Sequence, residues 1–74
     1  MKERIEELLK KEYPEIDFYA SDELVDDGIL DSLTVLGIIS LITAEFKVEI
    51  PMEEIIPDNF NSIDAMAELV SDLV

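Results

Sequence analysis

The sequence predicts an all-α fold, a small bundle of three main helices plus one short helix, with a long first loop. Two observations support this prediction. Apolar residues recur at helical spacing near both ends of the chain, and a nearly continuous apolar run of about 15 residues lies between them. A strand of that length would be unusual. With 74 residues, the chain is expected to form a single domain over residues 1–74 around one thin core.

The first helix is predicted over residues 3–13. Ile5, Leu8 and Leu9 fall at helical spacing, and glutamates stand four residues before lysines on the other face, which is the favourable order for helix pairs. Pro14 should end the helix, because the residue before a proline is pushed out of the α region.

Residues 14–31 form a connection long enough to suggest a functional loop. Gly28 supplies a backbone conformation there that other residues would resist. The apolar members of the loop are expected to pack across the helices: Ile16, Phe18, Leu24, Val25, Ile29 and Leu30.

The central helix is predicted over residues 32–46, with Asp31 or Ser32 as the N-cap. Residues 47–50 should be extended or turn-like. Pro51 suits the first position of a helix, so a short helix is expected to run to Ile56.

Pro57 is expected to end that short helix, and a last helix should follow it. Asn61 and Asp64 resemble a variant capping box at its start. The apolar stripe of this helix is predicted to consist of Ile63, Met66, Ala67, Val70 and Leu73.

The net charge is the strongest signal in the composition. Nineteen acidic residues against five basic ones give a net charge of −14. Such a chain repels nucleic acids and anionic lipids and should attract partners with basic surfaces. Because 49% of the residues are hydrophobic and their pattern is periodic, we expect a folded acidic domain rather than a disordered segment.

The sequence also excludes several classes of protein. There is no cysteine for a disulfide or a zinc site, which fits a reducing compartment. No apolar run is long enough to cross a membrane and no signal peptide begins the chain, so we expect a cytoplasmic protein. We also expect it to be a monomer. Histidine, the usual general base, is absent. We therefore predict that the protein is not an enzyme.

The motif that bears chemistry lies where the long loop meets the central helix. The segment Leu-Val-Asp-Asp-Gly-Ile-Leu-Asp-Ser-Leu (24–33) resembles the prosthetic-group site of acyl carrier proteins, and Glu-Phe-Lys-Val-Glu-Ile-Pro (45–51) resembles the segment between that family's second and third helices. The distance from Ser32 to Phe46 matches the family without an insertion. The similarity covers roughly residues 21–70.

The resemblance implies that a phosphopantetheinyl transferase joins a 4′-phosphopantetheine arm, derived from coenzyme A, to Ser32. The arm would supply the thiol that this cysteine-free chain lacks, and the protein would carry acyl or aminoacyl thioesters between a loading ligase or transferase and downstream enzymes. Asp31, Leu33 and Leu36 are the residues expected to contact those partners. Judged on its position alone, Ser32 would be read as an ordinary helix cap, and the two roles are compatible.

A calcium-binding interpretation of the Asp-Asp-Gly run fails. With Gly28 as the sixth residue of an EF-hand loop, Val25 and Thr34 would occupy ligand positions, and neither can provide the required carboxylate. We therefore predict no specific metal site. Loose binding of divalent cations to the clustered acids stays open.

Two departures from the family pattern concern the cargo. Carriers of fatty acid synthesis usually have several glutamates along the second helix, whereas Glu45 is the only acid between residues 32 and 46. The glycine also precedes Asp-Ser by one residue more than in the common form, which is closer to D-alanyl and some other aminoacyl carriers. The cargo can therefore be an acyl or an aminoacyl group. An alternative function also stays open, that of an acidic protein–protein adaptor that is never modified.

In the family, a pocket between the helices shelters the acyl chain. Several residues here are candidates to line such a pocket, although they can equally be ordinary core residues: Ile39, Ile42, Ile50, Ile55, Ile56, Phe60 and Met66. The bulk of the branched residues at 39, 42, 55 and 56, together with Phe60, predicts a full interior with little room for a long chain.

Overall fold

The computed structural model describes all 74 residues and contains no strand. Its elements, in chain order, are α1 (Lys2–Glu12), α2 (Ser32–Phe46), a 3₁₀ turn (Met52–Glu54), α3 (Pro57–Phe60) and α4 (Ile63–Leu73). The prediction of an all-α bundle with a long first loop is confirmed. No helix has the length and apolar character needed to cross a membrane.

The core lies between α1, α2 and α4, with α1 packed chiefly against α4. Each long helix contributes an inward stripe, and full burial of one Leu or Ile side chain stabilises the fold by about 1.5–3 kcal/mol. The fully buried residues of these three helices are Ile5, Leu9, Ile38, Ile42, Ile63, Met66 and Val70. The predicted stripe of α4 is present, with Leu69 as a further buried member and Leu73 only partly buried.

The long loop packs over the helices much as predicted, with one exception. Phe18, Leu24 and Leu30 are buried, and Ile16 and Val25 are partly buried against them.

Ile29 is the exception, since it is exposed. The backbone reverses just before it, at Gly28, which has a φ of +79° in the left-handed region as predicted. The N–H of Leu30 donates to the carbonyl of Leu24 at 3.0 Å, which closes the loop and leaves its tip in solvent. The prediction that Ile29 packs against the helices was therefore wrong.

The ends of the long helices agree with the predicted bounds to within a residue. The α1 helix ends at Glu12, and Tyr13 before Pro14 leaves the helical conformation. The α2 helix spans the predicted residues, and its N-cap is Asp31 rather than Ser32.

The prediction of one short helix that Pro57 ends was only partly right. The chain forms the 3₁₀ turn first, and Ile56 is extended with φ −127° and ψ 153°. Pro57 then begins α3, because the first residue of a helix needs no N–H group. The same proline therefore separates two short elements.

The predicted capping box at α4 was wrong. The cap is Ser62, whose hydroxyl accepts the N–H of Ala65 at 3.0 Å. Asp64 instead forms an ion pair with Lys2 at 2.9 Å, which links α4 to the start of α1. Asn61 is buried and turns towards the long loop.

Candidate functional site

Ser32 is the first residue of α2, and its side chain is exposed where the long loop ends. Asp31 before it has an extended backbone, and its Oδ1 accepts the N–H of Thr34 at 2.8 Å. This hydrogen bond lowers the pKa of the Asp31 carboxyl, which stays ionised at neutral pH. The cap thus holds the first turn of α2 in place and leaves the Ser32 hydroxyl free of that task.

An open groove of about 540 Å³ lies beside Ser32. Its lining is mostly apolar and comes from three parts of the chain: the long loop, the first turns of α2 and the segment from Ile55 to Phe60. Ser32 carries the only hydroxyl among the lining residues, and Asp31 carries the only ionisable side chain. A group attached to Ser32 would therefore have apolar surface within reach.

The residues expected to line an inter-helix pocket divide into two sets. Ile42, Ile50, Phe60 and Met66 are buried in the core, although Phe60 also borders the groove, and Ile39 is partly buried.

Ile55 and Ile56, by contrast, are 37% and 44% exposed and form one wall of the groove. The prediction that they help to fill the interior was wrong. The 3₁₀ turn and the extended residue before Pro57 direct them towards the surface instead.

The three residues expected to contact partners lie together at the N-terminal end of α2. Leu33 is 79% exposed and Leu36 is 56% exposed, and both follow Asp31 within the first turns of the helix. Large exposed apolar side chains in a group often mark an interaction site.

The only acid of α2, Glu45, lies at the opposite end of the helix. Its carboxylate is 3.0 Å from the guanidinium of Arg4, which also lies over the ring of Phe46 at 4.6 Å. The surface of α2 around Ser32 therefore carries no carboxylate of its own, and Asp31 provides the nearest one along the chain.

The only ionisable side chain that lines the groove is already engaged. The Asp31 carboxylate is already bonded to Thr34, and its lowered pKa makes it a weak base. No group of three or more acidic, histidine or cysteine side chains is placed to hold a metal ion.

Sequence reasoning missed the role of Asn61. Its carboxamide is hydrogen-bonded to the loop more than 30 residues earlier in the chain. Its neighbourhood, Asn-Phe-Asn-Ser, is typical of a helix cap, so no local signal indicated this long-range contact.

The comparisons with known proteins agree with this geometry. Residues 1–70 match the family model described as a phosphopantetheine attachment site. The match covers nearly the whole chain, and the protein belongs to this phosphopantetheine-binding carrier family. Neither a curated protein nor a solved structure matches it significantly.

Membership of the family defines the general role of the protein. Its domains bind 4′-phosphopantetheine covalently and act as carriers rather than catalysts. They therefore interact with a phosphopantetheinyl transferase and with biosynthetic enzymes that act on the attached group. An exposed hydroxyl at the start of a helix, next to apolar surface, is a suitable place for such an arm.

Proposed function

We propose that Ser32 is the attachment residue and that the protein carries acyl or aminoacyl thioesters between biosynthetic enzymes. One observation carries this proposal: Ser32 has the only hydroxyl that lines the groove, and it lies exposed at the first residue of α2. Both the reaction with a transferase and the later transfer of cargo require an accessible position of this kind.

The attachment step needs little chemistry from the chain itself. The Oγ of Ser32 forms a new bond to the phosphorus of coenzyme A that bears the pantetheine, the nucleotide part leaves as 3′,5′-ADP, and the hydroxyl proton goes to a base of the transferase. The chain has no histidine to take that proton, and Asp31 is a weak base. The transferase must therefore supply the base.

The start of α2 suits the phosphodiester that results. The first N–H groups of a helix have no intrahelical partner, and the helix dipole is positive at this end. An exposed anion there is stabilised by about 0.3–1 kcal/mol. The N–H of Thr34 already donates to Asp31, so the phosphate would interact mainly with the positive end of the helix dipole.

The test of this proposal compares two exposed serines of the same helix. Wild-type protein, Ser32→Ala and Ser40→Ala are incubated with coenzyme A, magnesium and a transferase of broad specificity, and intact masses are measured. We expect one phosphopantetheine on the wild type and on Ser40→Ala, and none on Ser32→Ala. An unchanged wild-type mass would favour the unmodified adaptor, and a modified Ser32→Ala would place the arm elsewhere.

We propose further that the cargo is short or is an amino acid. The side chains of Ile42, Ile50 and Met66 fill the interior, so a long chain would have only the open groove. The absence of acids along the first turns of α2 also separates this chain from fatty-acid carriers. The specific alternative is a D-alanyl carrier that is loaded by an adenylate-forming ligase.

Amide chemical shifts of protein loaded with acetyl, alanyl or octanoyl groups test the cargo. A chain that only touches the groove should shift Val35, Ile55 and Ile56. A chain that enters the core should shift Ile42 and Met66 as well. Strong shifts of the core residues with octanoyl would return the protein to the fatty-acyl carriers.

The partner surface that we propose is mainly apolar. Leu33 and Leu36 are exposed beside Ser32, and the single acid of α2 is engaged by Arg4. Loading enzymes should therefore contact this end of α2 through apolar side chains, with Asp31 as the nearby charge. Leu36→Ala should raise the KM of the loading enzyme for the holo-protein several-fold, whereas Thr43→Ala, an exposed position further along α2, should not change it.

A further inference from the structure

Asn61 is the only buried polar residue of the protein, with 7% of its surface exposed. Its Oδ1 accepts the N–H of Val25 at 2.9 Å and the N–H of Asp26 at 3.2 Å. Its Nδ2 donates to Oδ2 of Asp26 at 3.0 Å. The backbone takes part as well, since the Asn61 carbonyl accepts the N–H of Leu24 at 2.9 Å. Four hydrogen bonds thus join this residue to one short stretch of the loop.

These bonds connect two walls of the groove beside Ser32. Asn61 directly follows α3, which with Ile55 and Ile56 forms one wall. The stretch that it holds, residues 24–26, leads into another wall, which contains Val25, Gly28 and Leu30. The chain then passes through Asp31 to Ser32. The hydrogen bonds of Asn61 therefore connect the loop that precedes Ser32 directly to the end of α3.

We propose that Asn61 is a positioning residue for Ser32. By holding the loop against the end of α3, its carboxamide sets the width of the groove and the way in which the transferase meets the start of α2. This inference rests on the proposed attachment of the arm to Ser32 and adds a residue, distant in sequence, on which that attachment depends.

The chemistry of the contact requires an amide. One atom must accept two backbone N–H groups, and the other must donate to a carboxylate. Asparagine does both. In Asn61→Asp the two acceptor bonds can persist, but a second carboxylate then faces Asp26 across about the same distance, and like charges this close repel. The loop should move away from α3 to separate them.

A swap of donor and acceptor provides the test. In the double variant Asn61→Asp with Asp26→Asn, the amide and the carboxylate exchange places, the hydrogen bond can form again, and the net charge equals that of the wild type. Asp26→Asn alone is the matched control, because its side-chain oxygen can still accept from Asn61.

Transferase kinetics are measured on all four proteins, with the folded fraction of each taken from circular dichroism and used to correct its concentration. We expect Asn61→Asp to raise the KM for the apo-protein about fivefold or more with little change in kcat. Asp26→Asn and the double variant should stay within about twofold of the wild type. The amide chemical shifts of Gly28 and Ser32 should change most in Asn61→Asp and little in Asp26→Asn and the double variant. A loss of overall stability alone would not produce this pattern.

The outcomes separate the two proposals. A wild type that is not modified at Ser32 overturns the proposed function. A wild type that is modified, together with a folded Asn61→Asp of unchanged KM, overturns the positioning role, and so does a double variant that stays as impaired as Asn61→Asp. If Asn61→Asp does not fold, Asp26→Ala takes its place, because it removes the acceptor for Nδ2, and Asp26→Asn then controls for the lost charge. Its KM should rise about twofold to threefold, and an unchanged KM would overturn the role.

Discussion

The helices α1 and α2 differ in the residues that they expose to solvent. The α1 helix contains four of the five basic residues, and three of them form ion pairs: Lys2, Arg4 and Lys10. The α2 helix contains one acid and no base. Each helix nevertheless has only two fully buried residues, although α2 is far more apolar.

We infer from this difference that apolar residues have two roles in this small protein. In α1 the inward stripe of Ile5 and Leu9 packs against α4, and every other residue of the helix except Leu8 is charged. In α2 the inward stripe is joined by Leu33 and Leu36, which stay in solvent beside Ser32. The α2 helix therefore exposes two large apolar side chains beside Ser32, which the proposed function assigns to contacts with partner enzymes.

The largest expected effect is a difference in stability between a buried and an exposed apolar position of α2. Ile38→Ala removes a fully buried side chain and should lower the free energy of unfolding by about 2–5 kcal/mol. Leu36→Ala should change it by less than about 0.5 kcal/mol, because most of that side chain is already in water. Urea unfolding of both variants measures the difference. If Ile38→Ala does not fold, Ile38→Val should still cost about 0.5–1.5 kcal/mol. Equal costs at positions 36 and 38 would contradict the division.

A second prediction concerns the contact between α2 and Tyr13, the residue that follows α1. A Cβ at Gly37 would collide with the hydroxyl of Tyr13 but would lie 3.6 Å from its Cζ, an ordinary contact. Gly37→Ala alone should therefore be destabilising by up to about 1 kcal/mol, even though alanine favours a helix by roughly that amount. In a Tyr13→Phe background the same change should stabilise the protein by about 0.8–1 kcal/mol. Thermal unfolding of the four variants shows whether the sign reverses.

A third prediction uses the uneven distribution of charge. The bases cluster in α1, and residues 48–74 contain none, so repulsion should be strongest around α3 and α4. Raising the salt from low to near-physiological ionic strength, or adding millimolar magnesium, should raise the Tm by a few degrees because the charges are screened. Amide exchange should slow more in α4 than in α1. A Tm that does not depend on salt would count against this account.

The smallest expected effect belongs to the cap of α2. The pKa of Asp31 lies below its usual value of 3.8 because the carboxylate accepts the N–H of Thr34. A lowered folded pKa means that the cap stabilises fully above the unfolded value and that this contribution is lost as the pH falls through the folded value. Asp31→Asn keeps an acceptor oxygen without titrating. The free energy of unfolding of the wild type, relative to that of Asp31→Asn, should therefore stay constant from pH 7 to pH 5. It should fall only below about pH 4. A gap that changes between pH 5 and pH 7 would point to another group.

The sequence by itself determined the helical class, the extent of the central helix and the position of Ser32 at its start. These features are local. Helical periodicity depends on residues three or four apart, and a proline restricts the residue immediately before it. The positive φ of Gly28 was also predictable, because glycine alone adopts that conformation without strain.

The tertiary structure decided which apolar residues the fold leaves in solvent. Ile55 and Ile56 are as hydrophobic as Ile38 and Ile42, yet they are exposed and form a wall of the groove. Burial depends on where the neighbouring elements lie, and hydrophobicity alone does not contain that information.

The same limit applies to the polar contacts that organise the site. Ser62 caps α4, whereas the side chain of Asn61 is hydrogen-bonded to a loop more than 30 residues away. Such a bond forms only when the folded chain brings a carboxamide and two unpaired N–H groups together in a place from which water is excluded. A buried donor or acceptor then requires a partner, however distant that partner is in the sequence.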